Sequence, residues 1–512
     1  MGNQGNHPVN LDQKSQKFYT DLSRVNTVTV NNPDDLSEKI QLRASINQIK
    51  KGCEYQVQLF SLEGPQMVAI NGLETCQSTD GITAYANSPI LIRYYFEREQ
   101  PLLAKVTRRE SGTPYEFEIR TTLGCIMGSR KNTLQRKISE TENELLFLQG
   151  EKLKQSEDVL NVKFEIRPNK TPTYSQAKSK IYYELYAPNL LYRSEYLNNY
   201  GQFTPVKIPS TILKGNITLK FFDYRRKEVG NFTTNTSEFT SGKTFIVKVK
   251  GNVYNITSKS IITKNYTFVD YLKAGVQIGL SVAIDFTGSN GNPKDQRSLH
   301  FVNGLEPNQY ERAISSCGSI VAYYDYDQLF PCFGFGAKIN GQVAPLFNLN
   351  FQQDPNINLV ENIIGAYHNA INVVQLWGPT NFGPIIRTMN QIIRSENNKL
   401  KYHILMILTD GMIDDIDATI DELVDGSSLP LSVIIIGVGR ADFSSMTVLD
   451  ADENPLISSK GIRAARDLVQ FVPFLKFESN PEKLANEVLY EIPGQILEYY
   501  EQNNLDPQKL MS

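Results

Sequence analysis

The sequence predicts a multidomain protein in which two antiparallel, all-β sandwiches precede an α/β domain with a doubly wound sheet. Short β-rich segments fill the first half of the 512-residue chain, and turn pairs such as Asn71-Gly72 and Asp80-Gly81 separate the early ones. After Lys264, continuous Ile, Leu and Val strands alternate with helical periods. A chain of this length also favours about three domains, at about 150 residues per domain.

Changes in hydrophobic patterning and polarity along the chain divide it into five parts. They are a flexible N-terminal segment (1–33), a first sandwich (34–155), a second sandwich (156–264), the α/β domain (265–500) and a polar tail (501–512). The strands expected in the sandwiches are Ile40–Ile49, Cys53–Leu62, Pro89–Glu97, Leu102–Arg108, Tyr115–Thr121, Asn161–Ile166, Lys180–Tyr186, Asn216–Asp223 and Lys243–Lys250. In the α/β domain we expect strands over Val276–Asp285, Phe330–Phe335, Tyr402–Thr409 and Leu431–Gly437, with helices over Pro307–Tyr323, Leu359–Val374, Gly383–Ser395, Asp414–Asp425 and Pro481–Tyr500.

Composition excludes several classes of protein. A net charge of -3 argues against a nucleic-acid binder, whose affinity depends on phosphate contacts. The chain contains no apolar run of the roughly 18 residues that a membrane span needs, and residues 1–33 lack the layout of a signal peptide. The five cysteines are scattered without a CxxC pair, which favours free thiols in a reducing compartment. We therefore expect a soluble cytoplasmic protein with only peripheral membrane contact.

Hydroxyl and carboxylate side chains follow two of the predicted α/β strands. The first strand ends in Asp285-Phe286-Thr287-Gly288-Ser289, a later turn contains Thr380, and a second strand ends at Asp410. Ligands of such sheets bind beyond the carboxyl ends of the strands. Hard oxygen ligands without thiol or imidazole suit Mg²⁺. The pattern predicts a divalent-cation site with an open position for a partner's carboxylate, although Asp285 and Asp410 could instead cap the following helices.

The same region contains several extended motifs. They are Asp285-Phe286-Thr287-Gly288-Ser289-Asn290-Gly291, Ser298-Leu299-His300, Pro331-Cys332-Phe333-Gly334-Phe335-Gly336-Ala337, Gly378-Pro379-Thr380-Asn381-Phe382, Leu408-Thr409-Asp410-Gly411, and the run from Leu431 to Gly439 with Ala441-Asp442-Phe443. Together these motifs resemble those of the copines. The resemblance covers nearly all of residues 270–476. It is weaker upstream, at Tyr94-Tyr95-Phe96-Glu97, Phe222-Asp223-Tyr224 and Val229-Gly230-Asn231-Phe232-Thr233-Thr234.

The resemblance implies two N-terminal C2 domains followed by a von Willebrand factor A domain. Copines are cytosolic proteins that dock on phospholipid membranes when Ca²⁺ rises and recruit partner proteins through the A domain. Within that resemblance, Asp285, Thr287, Ser289, Thr380 and Asp410 fall on the metal-ion-dependent adhesion site of A domains. That site would hold Mg²⁺ or Mn²⁺ and would accept an Asp or Glu of a partner protein as a further ligand.

The chain departs from the family in the loops that would bind Ca²⁺. Such a site needs six to eight oxygens and at least partial neutralisation of charge. Basic residues stand where acidic loops are expected, at Lys50-Lys51-Gly52 and at Lys105-Val106-Thr107-Arg108-Arg109, and the loop from Arg167 to Lys178 contains no acid. Asp223 is the one residual acid, and Tyr224-Arg225-Arg226-Lys227 follows it. We therefore expect Ca²⁺ dependence of the C2 domains to be lost.

The basic residues of these loops allow two interpretations. They could contact anionic lipid headgroups, at about 1 kcal/mol per charge near the surface, or they could form a solvated face of sandwiches that bind protein. The residues concerned are Arg108, Arg109, Arg225, Arg226 and Lys227.

Three functions compete on these observations. The first is a non-catalytic, membrane-associated adaptor that binds an acidic residue of a partner protein through the A-domain metal. The second is a fixed component of a large cytoskeletal or membrane-associated assembly, which would need no Ca²⁺ switch. The third is a Mg²⁺-dependent phosphotransferase, since a strand-end Asp can be a nucleophile. That chemistry usually needs a second acid where Thr287 stands, and the chain contains no Walker, HExxH or GxSxG motif, so we expect no enzyme.

Overall fold

The computed structural model describes residues 26–27, 37–153 except 79 and 142, 158–168, 180–249 with short gaps, 252–450 and 455–511. Most of the predicted N-terminal segment, and most of the loop from Arg167 to Lys178, therefore lie outside the described residues. The chain divides into two compact units. One contains residues 154–266 with the N-terminal residues, and the other contains residues 36–153 together with 267–451 and 455–512.

Residues 37–153, here called the first β region, form one ten-stranded antiparallel sheet. In the strand Glu38–Asn47, every second side chain from Ile40 to Ile46 is buried, the alternation of a strand with one face on a core. The other strands are Cys53–Ser61, Val68–Ala69, Glu74–Ser78, Thr83–Ala86, Ile90–Tyr94, Pro101–Glu110, Thr113–Thr122, Thr133–Lys137 and Leu145–Lys152, with a short helix at Leu123–Gly128 and a 3₁₀ turn at Arg130–Asn132.

One of the basic stretches of this region is not a loop. Residues 105–109 lie inside the strand Pro101–Glu110, whose alternation turns Arg108 inward and Arg109 outward. Arg108 is 4% exposed, and its Nη1 lies 2.7 Å from Oε1 of buried Glu144. The prediction that Arg108 contacts lipid or protein is therefore wrong, because this guanidinium is committed to a buried ion pair. Loss of either partner would leave an uncompensated buried charge.

The second β region, residues 158–264, consists of two sheets that enclose one core. The five-stranded sheet has the order Asn26–Thr27, Val206–Pro209, Asp158–Pro168, Asn252–Lys264, Thr244–Val249, and the four-stranded sheet has the order Leu190–Arg193, Ile181–Tyr186, Asn216–Asp223, Glu228–Asn235. All pairings are antiparallel except that of Asn26–Thr27 with Val206–Lys207. Side chains such as Phe164, Tyr183 and Phe221 meet between the sheets.

The α/β domain, residues 267–511, contains an eight-stranded sheet. Its main order is Gln342–Asn348, Leu329–Ile339, Gln277–Asp285, Lys401–Thr409, Leu431–Gly437, Val469–Pro473, and the short strands Asn356–Asn358 and Gln375–Leu376 also pair with Leu329–Ile339. The strands from Leu329–Ile339 to Val469–Pro473 are parallel along this order. The helices are Phe268–Lys273, Gln309–Val321, Glu361–Val373, Gly383–Glu396, Ile416–Gly426, Ser444–Leu449, Pro481–Leu489, Ile492–Gln502 and Pro507–Met511.

This architecture confirms the predicted order of β-rich segments followed by an α/β domain. The central strands Gln277–Asp285 and Lys401–Thr409 are buried along almost their whole length, as continuous apolar strands covered on both faces should be. The predicted helix over Pro481–Tyr500 is instead two helices. Pro493 lies in the first turn of the second, where its missing N–H costs no helical hydrogen bond.

The first β region packs tightly on the start of the α/β domain. Glu38 accepts hydrogen bonds from Thr267 Oγ1 (2.7 Å) and from the backbone N–H of Val269 (3.0 Å), at the first turn of helix Phe268–Lys273. Burial raises the pKa of Glu38. The hydroxyls of buried Tyr94 and Tyr324 lie 2.6 Å apart. These contacts join segments more than 200 residues apart in the chain, so that they form one compact unit.

Within the described part of the chain, no helix combines the length and the apolar character needed to cross a membrane.

Candidate metal centre

Asp285 ends the central strand of the sheet and is fully buried. Its Oδ1 accepts the backbone N–H of Thr287 (2.8 Å), and its Oδ2 accepts the hydroxyl of Thr409 (2.6 Å). Ile284 is paired with Leu408 on the neighbouring strand, so the two strands end side by side. Asp285 therefore ties its own loop to the end of the adjacent strand.

Three further side chains complete a cluster at this edge of the sheet. Thr287 Oγ1 and Ser289 Oγ lie 2.9 Å apart, and Ser289 donates to Asp410 Oδ1 at 2.8 Å. Thr287 Oγ1 lies 3.5 Å from the same carboxylate oxygen. We call Asp285, Thr287, Ser289 and Asp410 the strand-end cluster. In the sequence these four residues lie at or just after the ends of two separate strands, and the structure brings them together.

Thr380 lies beside this cluster without a hydrogen bond to it among the described residues. The backbone N–H of Gly288 donates to Trp377 O at 2.8 Å, which holds the Trp377–Thr380 segment against the loop after Asp285. Thr380 itself is 7% exposed, and its backbone N–H donates to Asp414 Oδ2 at 2.7 Å. The structure thus brings four of the five predicted ligands into direct contact and places the fifth on an adjoining loop.

The cluster holds two carboxyl groups close together in a buried position. Burial raises the pKa of Asp285. Burial and the negative charge of Asp285 raise the pKa of Asp410 to about 7. Among the ion pairs of the described residues, none includes either carboxylate, so the protein leaves their charges uncompensated.

This donor set fits a hard divalent cation. It combines two carboxylates with two hydroxyl oxygens and contains no thiol or imidazole, which matches the oxygen preference of Mg²⁺ and Mn²⁺. No group of three or more His, Cys, Asp or Glu side chains suited to a metal occurs within the described ranges. The two carboxylates would formally balance the charge of a divalent cation, and the two hydroxyl ligands would add no further negative charge.

Two acids missed by the sequence reasoning hold the Thr380 segment in place. Asp414 accepts the N–H of Thr380, and Asp415 accepts those of Phe382 (2.9 Å) and Gly383 (2.9 Å), at the start of helix Gly383–Glu396. The cap of this helix thus comes from a different element of the chain. The sequence contains only a run of acids after Asp410, a pattern that equally favours the start of the next helix.

His300 supports the same strand end from behind. Its Nε2 lies 2.9 Å from the carbonyl oxygen of Asp285, and its Nδ1 lies 2.8 Å from the Tyr367 hydroxyl. Because a carbonyl only accepts, Nε2 carries the proton. Burial lowers the pKa of His300 to about 3, so the ring is neutral. The four histidines are dispersed along the sequence, and no local pattern there indicates this contact.

The remaining predicted contact residues have different surroundings. Arg109 is exposed on its strand. Arg225, Arg226 and Lys227 are exposed in the turn between Asn216–Asp223 and Glu228–Asn235. Asp223, the residual calcium-loop acid, is 4% exposed, and its Oδ1 accepts the backbone N–H groups of Arg225 (2.9 Å) and Lys227 (3.1 Å). That oxygen therefore stabilises the turn.

One family model matches part of the chain. The Copine family model matches residues 298–508, a range that includes Thr380 and Asp410 and begins after Ser289. Among solved structures, the chain is similar to the manganese-loaded TRAP protein of Plasmodium vivax (12% identity, 40% of this chain and 70% of that chain, TM-score 0.26). It is also similar to proximal thread matrix protein 1 of the mussel byssus (15%, 41% and 47%, 0.28) and to the SpRpn10 VWA domain (13%, 42% and 97%, 0.28).

The chain spans about half the length of the mussel protein that it matches. At these TM-scores, we draw nothing about function from the three solved structures. The family match is independent of them and agrees with the motifs quoted above for this part of the sequence. Residues 298–508 of this chain therefore match the Copine family.

Proposed function

We propose that this protein is a copine-like, non-catalytic adaptor whose α/β domain recruits partner proteins through a bound Mg²⁺ or Mn²⁺. The observation that carries the proposal is the strand-end cluster, in which two uncompensated buried acids share their space with two hydroxyls. The proposed ligand set is Asp285, Thr287, Ser289, Thr380 and Asp410.

The side chains of the site have different roles in this proposal. Ser289, Thr287 and Asp410 have oxygens within 3.5 Å of one another and would contact the cation. Both oxygens of Asp285 already accept hydrogen bonds within the protein, so Asp285 would act through water and by fixing the loop. When bound, the cation supplies an electrophilic centre that accepts a carboxylate oxygen from a partner's Asp or Glu.

The hydrogen bonds of Asp285 also argue against a phosphotransferase. A nucleophilic carboxylate must reach a substrate, whereas Asp285 is 0% exposed and both its oxygens are engaged. The position two residues later belongs to Thr287, whose hydroxyl lies against Ser289 and Asp410. A non-catalytic role fits these residues better, because metal-mediated binding of a partner's carboxylate requires no acid to protonate a leaving group.

The proposal is tested by metal binding and by metal-dependent capture of partners. We expect Mn²⁺ titrated into chelator-treated protein to bind at one site, and we expect both Ser289→Ala and Asp410→Ala to weaken that binding at least tenfold. Asp417→Asn, an exposed acid in the first turn of helix Ile416–Gly426, is the matched control and should bind as the wild type does. Partners captured from native extract in Mn²⁺ should elute with chelator. Binding that is unchanged in both variants would refute the ligand assignment.

For the β regions we propose peripheral attachment to anionic phospholipid that does not depend on Ca²⁺. The basic turn Arg225–Lys227 is exposed, and the acid beside it stabilises the turn. Such a surface attracts anionic headgroups without an ion to bridge them. The competing proposal is that the protein is a fixed component of a cytoskeletal or membrane-associated assembly. The scarcity of acidic Ca²⁺ ligands in the β regions favours this proposal equally, because a permanent component needs no Ca²⁺ switch. Retention in a detergent-resistant pellet would support the assembly over the lipid surface.

Neutralising this turn should weaken lipid binding. We expect the triple variant Arg225→Ala, Arg226→Ala, Lys227→Ala to bind vesicles of mixed phosphatidylcholine and phosphatidylserine roughly ten- to a hundredfold less tightly, since each of the three charges contributes up to about 1 kcal/mol. The control removes three other exposed cations by Lys131→Ala, Arg136→Ala and Lys137→Ala. Vesicle sedimentation measures both, with and without Ca²⁺. Pelleting that Ca²⁺ stimulates, or an equal loss in the control, would contradict this assignment.

A further inference from the structure

A groove of about 1080 Å³ runs beside the strand-end cluster. One wall follows directly from the loop after Asp285 and includes Gly288, Gly291 and Lys294. The opposite wall is the end of helix Glu361–Val373 and the residues that follow it, as far as Leu376. Gly288 stands between Thr287 and Ser289 in the chain, so one end of the groove lies next to two of the proposed ligands. A ligand held at the metal could therefore continue into it.

The lining of this groove suits a peptide chain. Side-chain amides of Asn292, Asn372 and Gln375 alternate with apolar side chains, among them Phe301 and Ile371. Amides can pair with the N–H and C=O groups of an extended backbone, and the apolar stretches can receive its side chains. The volume lies slightly above the about 300–1,000 Å³ usual for ligand pockets, which leaves room for a segment longer than a single residue.

Charge then selects the kind of peptide. None of the described residues that line the groove is acidic. Lys294 is exposed on its wall and forms no ion pair among the described residues, since the neighbouring Arg297 and Asp295 pair with each other at 2.8 Å. Of the two histidines in the lining, His300 is buried with both ring nitrogens in hydrogen bonds within the protein, and His368 lies 2.7 Å from Glu311. Lys294 is thus the cation available to a ligand.

We propose that the groove binds an extended acidic peptide segment of the partner. One carboxylate of this segment reaches the metal, and a second one lies against Lys294. The inference rests on the proposed function and adds to it the chemical class of the partner. A bound metal alone would accept any exposed Asp or Glu of a partner. The groove adds the requirement for a second acid at a fixed spacing, with residues between the two acids that fit its mixed polar and apolar lining.

The test is a selection of peptides displayed on phage, with one fixed Asp in a randomised segment, on immobilised full-length protein in Mn²⁺ and in chelator. For the wild type, we expect Mn²⁺-dependent enrichment of peptides with a second Asp or Glu at one preferred spacing. For Lys294→Glu, the preference at that position should change to Lys or Arg. A synthetic peptide of the wild-type consensus should bind this variant about tenfold less tightly by fluorescence anisotropy.

The matched control is Lys399→Glu, which reverses an exposed lysine at the opposite edge of the sheet, before the strand Lys401–Thr409 begins. It should select the wild-type consensus. Mn²⁺-dependent enrichment with the same consensus on wild type and Lys294→Glu would overturn the groove assignment and leave the metal-centred adaptor intact. An absence of Mn²⁺-dependent enrichment on the wild type would overturn both.

Discussion

Replacing Gly128 by alanine is expected to lower the free energy of unfolding of its compact unit by about 3 kcal/mol or more. Gly128 ends the helix Leu123–Gly128, and a Cβ there would lie 2.0 Å from the carbonyl oxygen of Tyr323 and 3.2 Å from the ring of Tyr324. The nearest atom belongs to the backbone, so no side-chain rotation relieves the overlap. The cost should therefore reach the upper end of the range for overpacked sites.

Thermal unfolding measures this effect, and Gly365→Ala provides the matched control. Gly365 lies inside helix Glu361–Val373, and a Cβ there meets no atom within 4 Å. Alanine should therefore stabilise that helix by about 0.5–1 kcal/mol. We expect the melting temperature to fall by several degrees in Gly128→Ala and to rise slightly in Gly365→Ala. Equal melting of Gly128→Ala and wild type would contradict the close packing of the first β region on the α/β domain.

Replacing Asp410 by asparagine is expected to stabilise the metal-free protein while abolishing its response to metal. The folded state raises the pKa of Asp410 to about 7, chiefly through burial and through Asp285. Between about pH 4 and pH 7 the folded protein therefore holds a proton that the unfolded chain has released, and stability falls as the pH rises through this window. Asparagine does not ionise, so it places no negative charge beside Asp285 at high pH. It retains an oxygen that can accept the hydrogen bond from Ser289.

In chelator, the variant should match the wild type near pH 4 and exceed it by about 2 kcal/mol at pH 8, as water that reaches the site screens part of the repulsion. In Mn²⁺ at 100 times the dissociation constant, the wild type should gain about 2.7 kcal/mol and Asp410→Asn almost nothing. Asp417→Asn should behave as the wild type in both conditions. A variant less stable than the wild type in chelator at pH 8 would show that the two acids do not repel each other in the folded state.

The position of the site could be predicted from sequence because its residues follow strands with a strong local signal. The continuous apolar runs before Asp285 and Asp410 indicate neighbouring parallel strands, and the carboxyl ends of such strands share one edge. The register of Ile284 with Leu408 is the physical reason that the residues after the two strands lie close together. The hydroxyls of Thr287 and Ser289 lie at the same edge because these residues follow Asp285 closely in the chain.

The features that could not be predicted depend on contacts between distant segments. The sequence predicts that Arg108 is an exposed loop residue, because it stands in a run of basic residues. In the structure this run is part of a strand, and the two-residue alternation of the strand directs Arg108 toward Glu144. The packing of Tyr94 on Tyr324 joins residues 230 positions apart, and no local pattern encodes such complementarity. The anchoring of Thr380 by Asp414 is of the same kind.

Crystals of the protein soaked in Mn²⁺ provide the most direct test of the central claim, since anomalous scattering locates the ion without assumptions about its ligands. We expect one strong anomalous peak bounded by the oxygens of Thr287, Ser289 and Asp410, and we expect it to disappear in Asp410→Ala. Strong peaks elsewhere on the protein, with none at this edge of the sheet, would contradict it.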